Sequence, residues 1–137
     1  MRNMKMKTSA LLMLFCSTVA CAAEITIDAD YPGGNIVVER IDGDTVTLQQ
    51  ELRDTGRWWF YWDFRVSGAA GRTLTFHFTN KNVFGTRGPA VSIDAGLTWC
   101  WLGTKTVRGT SFSYEFPTDA NSVRFAFSLP YQEIFAD

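Results

Sequence analysis

At 137 residues the chain fits one domain of ordinary size, and its eleven Phe, five Trp and four Tyr supply enough ring area for a dense core. The formal net charge is -1; past residue 23 it becomes -4, from 10 bases against 14 acids. An acidic domain with no basic block and no run of like charge argues against nucleic acid as a partner.

The N-terminus reads as an export signal. Arg2, Lys5 and Lys7 form a basic start, Ala10 to Phe15 is apolar, and small residues follow. The apolar run is too short to span a bilayer. Cleavage after Ala20-Cys21-Ala22 suits a signal peptidase. Alternatively Thr18-Val19-Ala20-Cys21 is a lipoprotein processing box, with Cys21 acylated. The expected division is a signal peptide over 1–23 and one domain over 24–137. The destination is the periplasm or the exterior, with a membrane anchor only if Cys21 is lipidated.

The rest reads as successive short strands. Glu24–Ala29 is the first, broken by Tyr31-Pro32-Gly33-Gly34. Asn35–Ile41 and Thr45–Gln50 flank Asp42-Gly43, a hairpin signal. Trp58–Ser67 is the longest predicted strand. Period two puts Trp58, Phe60, Trp62, Phe64 and Val66 on a core face. Trp59, Tyr61, Asp63, Arg65 and Ser67 fall on the other face, where the two rings need cover or a ligand.

Further along, Arg72–Thr79 puts Leu74, Phe76 and Phe78 opposite Thr73, Thr75, His77 and Thr79. Ser111–Phe116 and Ser122–Leu129 alternate in the same way. Nothing is helical over three turns; Asp54–Arg57 and the last residues make a helical turn at most. The fold class is all-β, an antiparallel β-sandwich of about eight or nine strands.

Two connections stand out. Ser92-Ile93-Asp94-Ala95-Gly96-Leu97-Thr98-Trp99 matches the Asp-box pattern S-x-D-x-G-x-[ST]-W. Its logic is a turn in which Asp94 accepts backbone N–H bonds, Gly96 supplies an unusual dihedral and Trp99 packs beneath. The box occurs once, so it supports the fold and does not mark a propeller. The polar stretch Thr79–Ala90 holds Asn80, Asn82 and Arg87. It is either a hydrogen-bonded structural loop or a docking rim with Arg87 as its charged anchor.

Candidate chemistry is sparse. His77 is the sole histidine, whereas a zinc hydrolase uses two or three His ligands with a carboxylate. Any nucleophilic triad would also need His77, and Ser67-Gly68 lacks the strand-elbow-helix context. Asp28 with Asp30, and Asp42 with Asp44, flank turns, where Asp serves structure. Cys100, between Trp99 and Trp101, reads as a small buried hydrophobe. No catalytic residue, metal ligand or cofactor is expected on this chain.

Three long blocks carry a resemblance: YPGGNIVVERIDGDTV, LRDTGRWWFYWDFRVSGAAGRTLTFHFTNKNVFGTRGPAVSIDAGLTW and FSYEFPTDANSVRFAFSLPYQ. Over roughly residues 24 to 133 the chain resembles the N-terminal β-sandwich domain of M14-family zinc carboxypeptidases, specifically bacterial members related to the cytosolic carboxypeptidases. In that family a separate α/β domain supplies a His-x-x-Glu pair, a second His and a general-base Glu. The sequence ends at Asp137, where that domain would begin, so none of those residues carries over.

The resemblance implies a non-catalytic accessory domain that docks beside a catalytic domain and shapes access to it, zinc being expected only there. Expected partners are such a catalytic domain or a second copy of the chain. Candidate interface residues are Trp59, Tyr61, Asn80, Asn82, Arg87, Pro130 and Tyr131. The alternative is an exported carbohydrate- or peptide-binding module using exposed rings such as Trp59 and Tyr61.

Overall fold

The computed structural model describes residues 21–56 and 61–130. Ten strands lie in this part: β1 Thr26–Asp28, β2 Val37–Asp42, β3 Thr45–Gln49, β4 Asp63–Ser67, β5 Thr73–Phe78, β6 Ala90–Ser92, β7 Cys100–Trp101, β8 Val107–Arg108, β9 Ser111–Glu115 and β10 Ser122–Ala126. They form two five-stranded sheets, ordered β1-β4-β10-β6-β7 and β2-β3-β5-β9-β8. The sandwich is thus the expected architecture, with more and shorter strands than the eight or nine read from the sequence. Short 3-10 turns at Arg53–Thr55 and Thr104–Thr106 complete it.

Alternation decides which side chains go inside. Phe64 and Val66 of β4, Leu74, Phe76 and Phe78 of β5, Phe112 of β9, and Val123 and Phe125 of β10 are buried between the sheets. The rings pack in a mixture of tilted, edge-on and stacked pairs, Phe112 stacking with Phe76 and with Trp62. Phe76 and Phe112 lie 4.9 Å apart between centroids, Phe112 and Phe125 5.3 Å, and Phe64 and Phe125 5.6 Å. Trp62 is wholly buried at one end of this stack, its indole N–H donating to the Val83 carbonyl at 2.7 Å.

Three expectations change. First, the fold is not purely antiparallel: β3 and β5 are parallel, Val46 facing Phe76 and Leu48 facing Phe78. After β3 the chain crosses to the first sheet as β4, then returns beside β3 running the same way. Alternation of apolar residues is identical for either direction, so it cannot report this. Second, within the strand expected over Trp58–Ser67, Tyr61 and Trp62 precede β4, which begins at Asp63, where pairing with Ala126 and the Asn35 bridge begin. Residues 57–60, including Trp58 and Trp59, lie outside the described residues. Third, Cys100 is exposed, not buried. It pairs with Val91 and so shares that residue's side of the sheet, but β7 is a two-residue strand that ends the sheet among the described residues.

The hairpin between β2 and β3 turns at Gly43-Asp44, with Asp42 paired to Thr45, one residue later than the Asp42-Gly43 reading. β2 is exposed along its whole length, and a bulge falls between Val38 and Arg40.

Candidate functional site: a buried carboxylate beneath a ring-covered face

The outer face of the β1-β4-β10-β6-β7 sheet is where polar residues and rings converge. Antiparallel registry draws a cross-strand row of Asp28, Arg65, Arg124 and Ser92 over β1, β4, β10 and β6. The next row holds Asp63, Ala126, Ala90 and Trp101. Arg65 and Arg124 are direct cross-strand neighbours, a like-charge pairing that would be unfavourable alone. Each has its own carboxylate: Arg65 pairs with Asp28, and Arg124 with Asp63. The Tyr31 ring lies against both guanidinium groups, 5.3 Å from Arg65 and 4.5 Å from Arg124.

Asp63 faces away from the core yet is 0% exposed. Its Oδ1 accepts from the Tyr31 hydroxyl at 2.8 Å and from Arg124 Nε at 3.3 Å. Its Oδ2 accepts from the Tyr61 hydroxyl at 3.0 Å and from Arg124 Nη2 at 2.7 Å. A carboxylate has about four lone-pair directions, and here four donors occupy them. Asp63 therefore has no acceptor position left for a substrate proton, which argues against a general base. Burial, and then the Asp63 charge, push both tyrosine hydroxyls well above the usual range. They act as neutral donors. Burial works to lower the Arg124 pKa, but the Asp63 carboxylate outweighs it and raises it.

The local sequence assembles this cluster. Asn35 and Asp63 exchange backbone bonds, Asn35 N–H to Asp63 O at 2.8 Å and Asp63 N–H to Asn35 O at 3.2 Å. The turn Tyr31-Pro32-Gly33-Gly34 is thereby held across β4, which lays Tyr31 over the arginines. The Asn35 side-chain amide donates to the Tyr61 carbonyl at 3.0 Å.

The turn between β6 and β7 closes the face from the other side. Asp94 Oδ1 accepts from Thr98 N–H at 2.9 Å and from the Ser92 hydroxyl at 2.8 Å, and Asp94 also accepts from the Thr98 hydroxyl. These bonds lower the Asp94 pKa to about 2. Gly96 takes φ +89° and donates its N–H to Ser92 Oγ at 2.8 Å. Trp99 donates to the Gly96 carbonyl at 3.0 Å and sets its ring 5.3 Å from the Arg124 guanidinium. Arg124 thus lies between two rings, Tyr31 and Trp99. In the same turn Ile93 is 59% and Leu97 65% exposed.

The residues singled out in sequence divide between this face and the adjoining loop. Tyr61 and Trp99 join the Asp63 cluster, and Ser92, Asp94 and Gly96 build its flanking turn. Tyr61 is half-buried with its hydroxyl committed to Asp63, so it is not a free ring. In the 79–90 loop Asn80 accepts from the Gln50 N–H at 2.7 Å, and Asn82 adopts φ +59°. Val83 and Phe84 of that loop plug the end of the core, Phe84 lying edge-on to Trp62, Phe78 and Phe112. Gly88 at φ +69° has no room for a side chain, since a Cβ would stand 2.5 Å from the Gly103 carbonyl oxygen. Arg87 is exposed over the Trp101 ring at 5.7 Å. Pro130 is half-buried, and Trp59 and Tyr131 lie outside the described residues.

The sequence reading missed Tyr31, Asn35 and Arg124 as a group and placed Asp63 without a role. A charged residue inside an aromatic strand was the available signal. His77, on the opposite sheet, bonds Ser111 Oγ at 2.8 Å through Nδ1. Among the described residues no three His, Cys, Asp or Glu side chains come together as possible metal ligands.

The model of the cytosolic carboxypeptidase N-terminal domain matches residues 27–128. The chain belongs to that family. Solved structures agree on the fold. A protein assigned as carboxypeptidase A from Shewanella denitrificans is 24% identical with a TM-score of 0.66, over 80% of this chain and 30% of that one. A metallo-carboxypeptidase from Pseudomonas aeruginosa is 24% identical at TM-score 0.64, over 80% and 31%. One from Burkholderia cenocepacia is 19% identical at 0.61, over 81% and 30%. The domain therefore spans about 30% of the length of these carboxypeptidases. No curated protein matches it.

Proposed function

We propose that this domain is a non-catalytic accessory module that docks against an M14 zinc carboxypeptidase catalytic domain and shapes access to its active site. One observation carries the reading: the sandwich matches the N-terminal domain of carboxypeptidases in which it is only 30% of the chain. Zinc and its ligands belong to the catalytic domain. The docking face is the outer face around Trp99, whose turn also carries the exposed Ile93 and Leu97. Exposed apolar side chains beside an ion-paired cluster suit an interdomain contact. The setting is outside the cytoplasm, from the leader over 1–23, with membrane attachment only through a lipidated Cys21.

The test is a peptidase assay with an M14 catalytic domain prepared without its own sandwich. The domain alone, with zinc supplied, should hydrolyse no peptide. Added to the catalytic domain, it should change kcat/KM toward protein substrates. Zinc-dependent turnover by the domain alone, or no effect on the catalytic domain, would overturn the proposal.

A further inference from the structure

We propose that β2 is a self-association edge: two copies pair antiparallel through Arg40-Ile41-Asp42, joining their sheets across a two-fold axis. This stands independently of docking to a catalytic domain.

Among the described residues β2 ends one sheet and pairs with β3 alone. It is six residues long, whereas the edges β1, β7 and β8 have three, two and two. Short edges offer little template for another chain, and a long one is an association site unless it is blocked. Every residue of β2 is exposed, including Val37, Val38 and Ile41.

The bulge between Val38 and Arg40 blocks the first half of the strand, because an extra residue there breaks the ladder. The second half is regular: Arg40 pairs with Thr47, Ile41 with Val46 and Asp42 with Thr45. Ile41 thus shares the core-facing side with Val46, while Arg40 and Asp42 face outward. Neither Arg40 nor Asp42 forms an ion pair among the described residues.

The spacing of these charges selects the occupant. If Ile41 sits on the two-fold axis opposite its own copy, Arg40 falls opposite the second copy's Asp42, and Asp42 opposite its Arg40. Two opposite-charge cross-strand pairs then flank an apolar pair, each arrangement favourable between neighbouring strands. The interface is isologous, so it closes at two copies rather than growing. A charged edge that would repel most strands is complementary to itself.

Charge exchange tests this register. Light scattering on the purified protein, from about 10 μM to about 1 mM, spans the range of weak dimers. The wild type should rise from monomer toward dimer mass. Arg40→Asp places two acids opposite each other and should stay monomeric; Asp42→Arg places two bases opposite each other and should do the same. Mixed at equal concentration, the two variants should form a heterodimer, since every facing pair is again opposite in charge. Circular dichroism of each variant reports whether it remains folded. A wild type that stays monomeric, single variants that dimerise like it, or folded variants that fail to pair on mixing would each overturn the proposal. So would a dimer lost only on changing Trp99 or Leu97, which would place self-association on the other sheet.

Discussion

Arg124 and Asp63 sit diagonally on neighbouring strands, with Nη2 and Oδ2 2.7 Å apart and the carboxylate fully enclosed. Removing one member of a buried pair is costly because the other keeps its charge without a partner. Arg124→Met should therefore lower the unfolding free energy by about 3–5 kcal/mol. Urea denaturation measures it. An unchanged midpoint would show that the guanidinium does not hold Asp63.

The tyrosines give an independent reading of the same cluster. Tyr31 and Tyr61 are raised by burial and by Asp63, and Tyr114 is raised chiefly by burial. A raised folded pKa means that the contribution of these groups is full below about pH 10 and is lost as pH climbs toward the folded values. At about pH 11 the folded protein should show a much smaller phenolate absorbance than the same chain in denaturant. Equal absorbance would mean that the hydroxyls are open to solvent.

Most of the sandwich was legible in the residues, and the reasons are local. Leu74-Thr75-Phe76-His77-Phe78 can bury only one side, and it does. What sequence could not show is how strands meet. The parallel pairing of β3 with β5 depends on the chain crossing between sheets, and alternation is blind to direction. Cys100 shows the same limit: its aromatic neighbours suggested burial, but its exposure follows from β7 lying at a margin. The cluster at Asp63 joins residues 31, 35, 61, 63, 99 and 124, separations over which no motif extends. Only the turn around Asp94 was readable, because its partners lie within a few positions.

That turn gives an acid-side prediction. Asp94 is lowered to about 2 by the Thr98 and Ser92 bonds, from an ordinary value of 3.8. A depressed folded pKa means that its contribution is present above about pH 4 and lost as pH falls toward about 2. Asp28, held by the Asp30 N–H and by Arg65, is lowered in the same direction. Thermal melts across this window should show Asp94→Asn losing less stability on acidification than the wild type. Parallel curves would mean that Asp94 does not brace the turn.

The most direct test of the accessory role is calorimetric titration of an M14 catalytic domain, prepared without its own sandwich, into this domain and into its Leu97→Asp variant. Leu97 is 65% exposed, so the substitution should leave the fold intact while placing a charge in the proposed contact. The expected result is a one-to-one complex with the wild type and binding at least about tenfold weaker with Leu97→Asp, a difference of about 1.4 kcal/mol. No binding by the folded wild type, or equal binding by both, would contradict it.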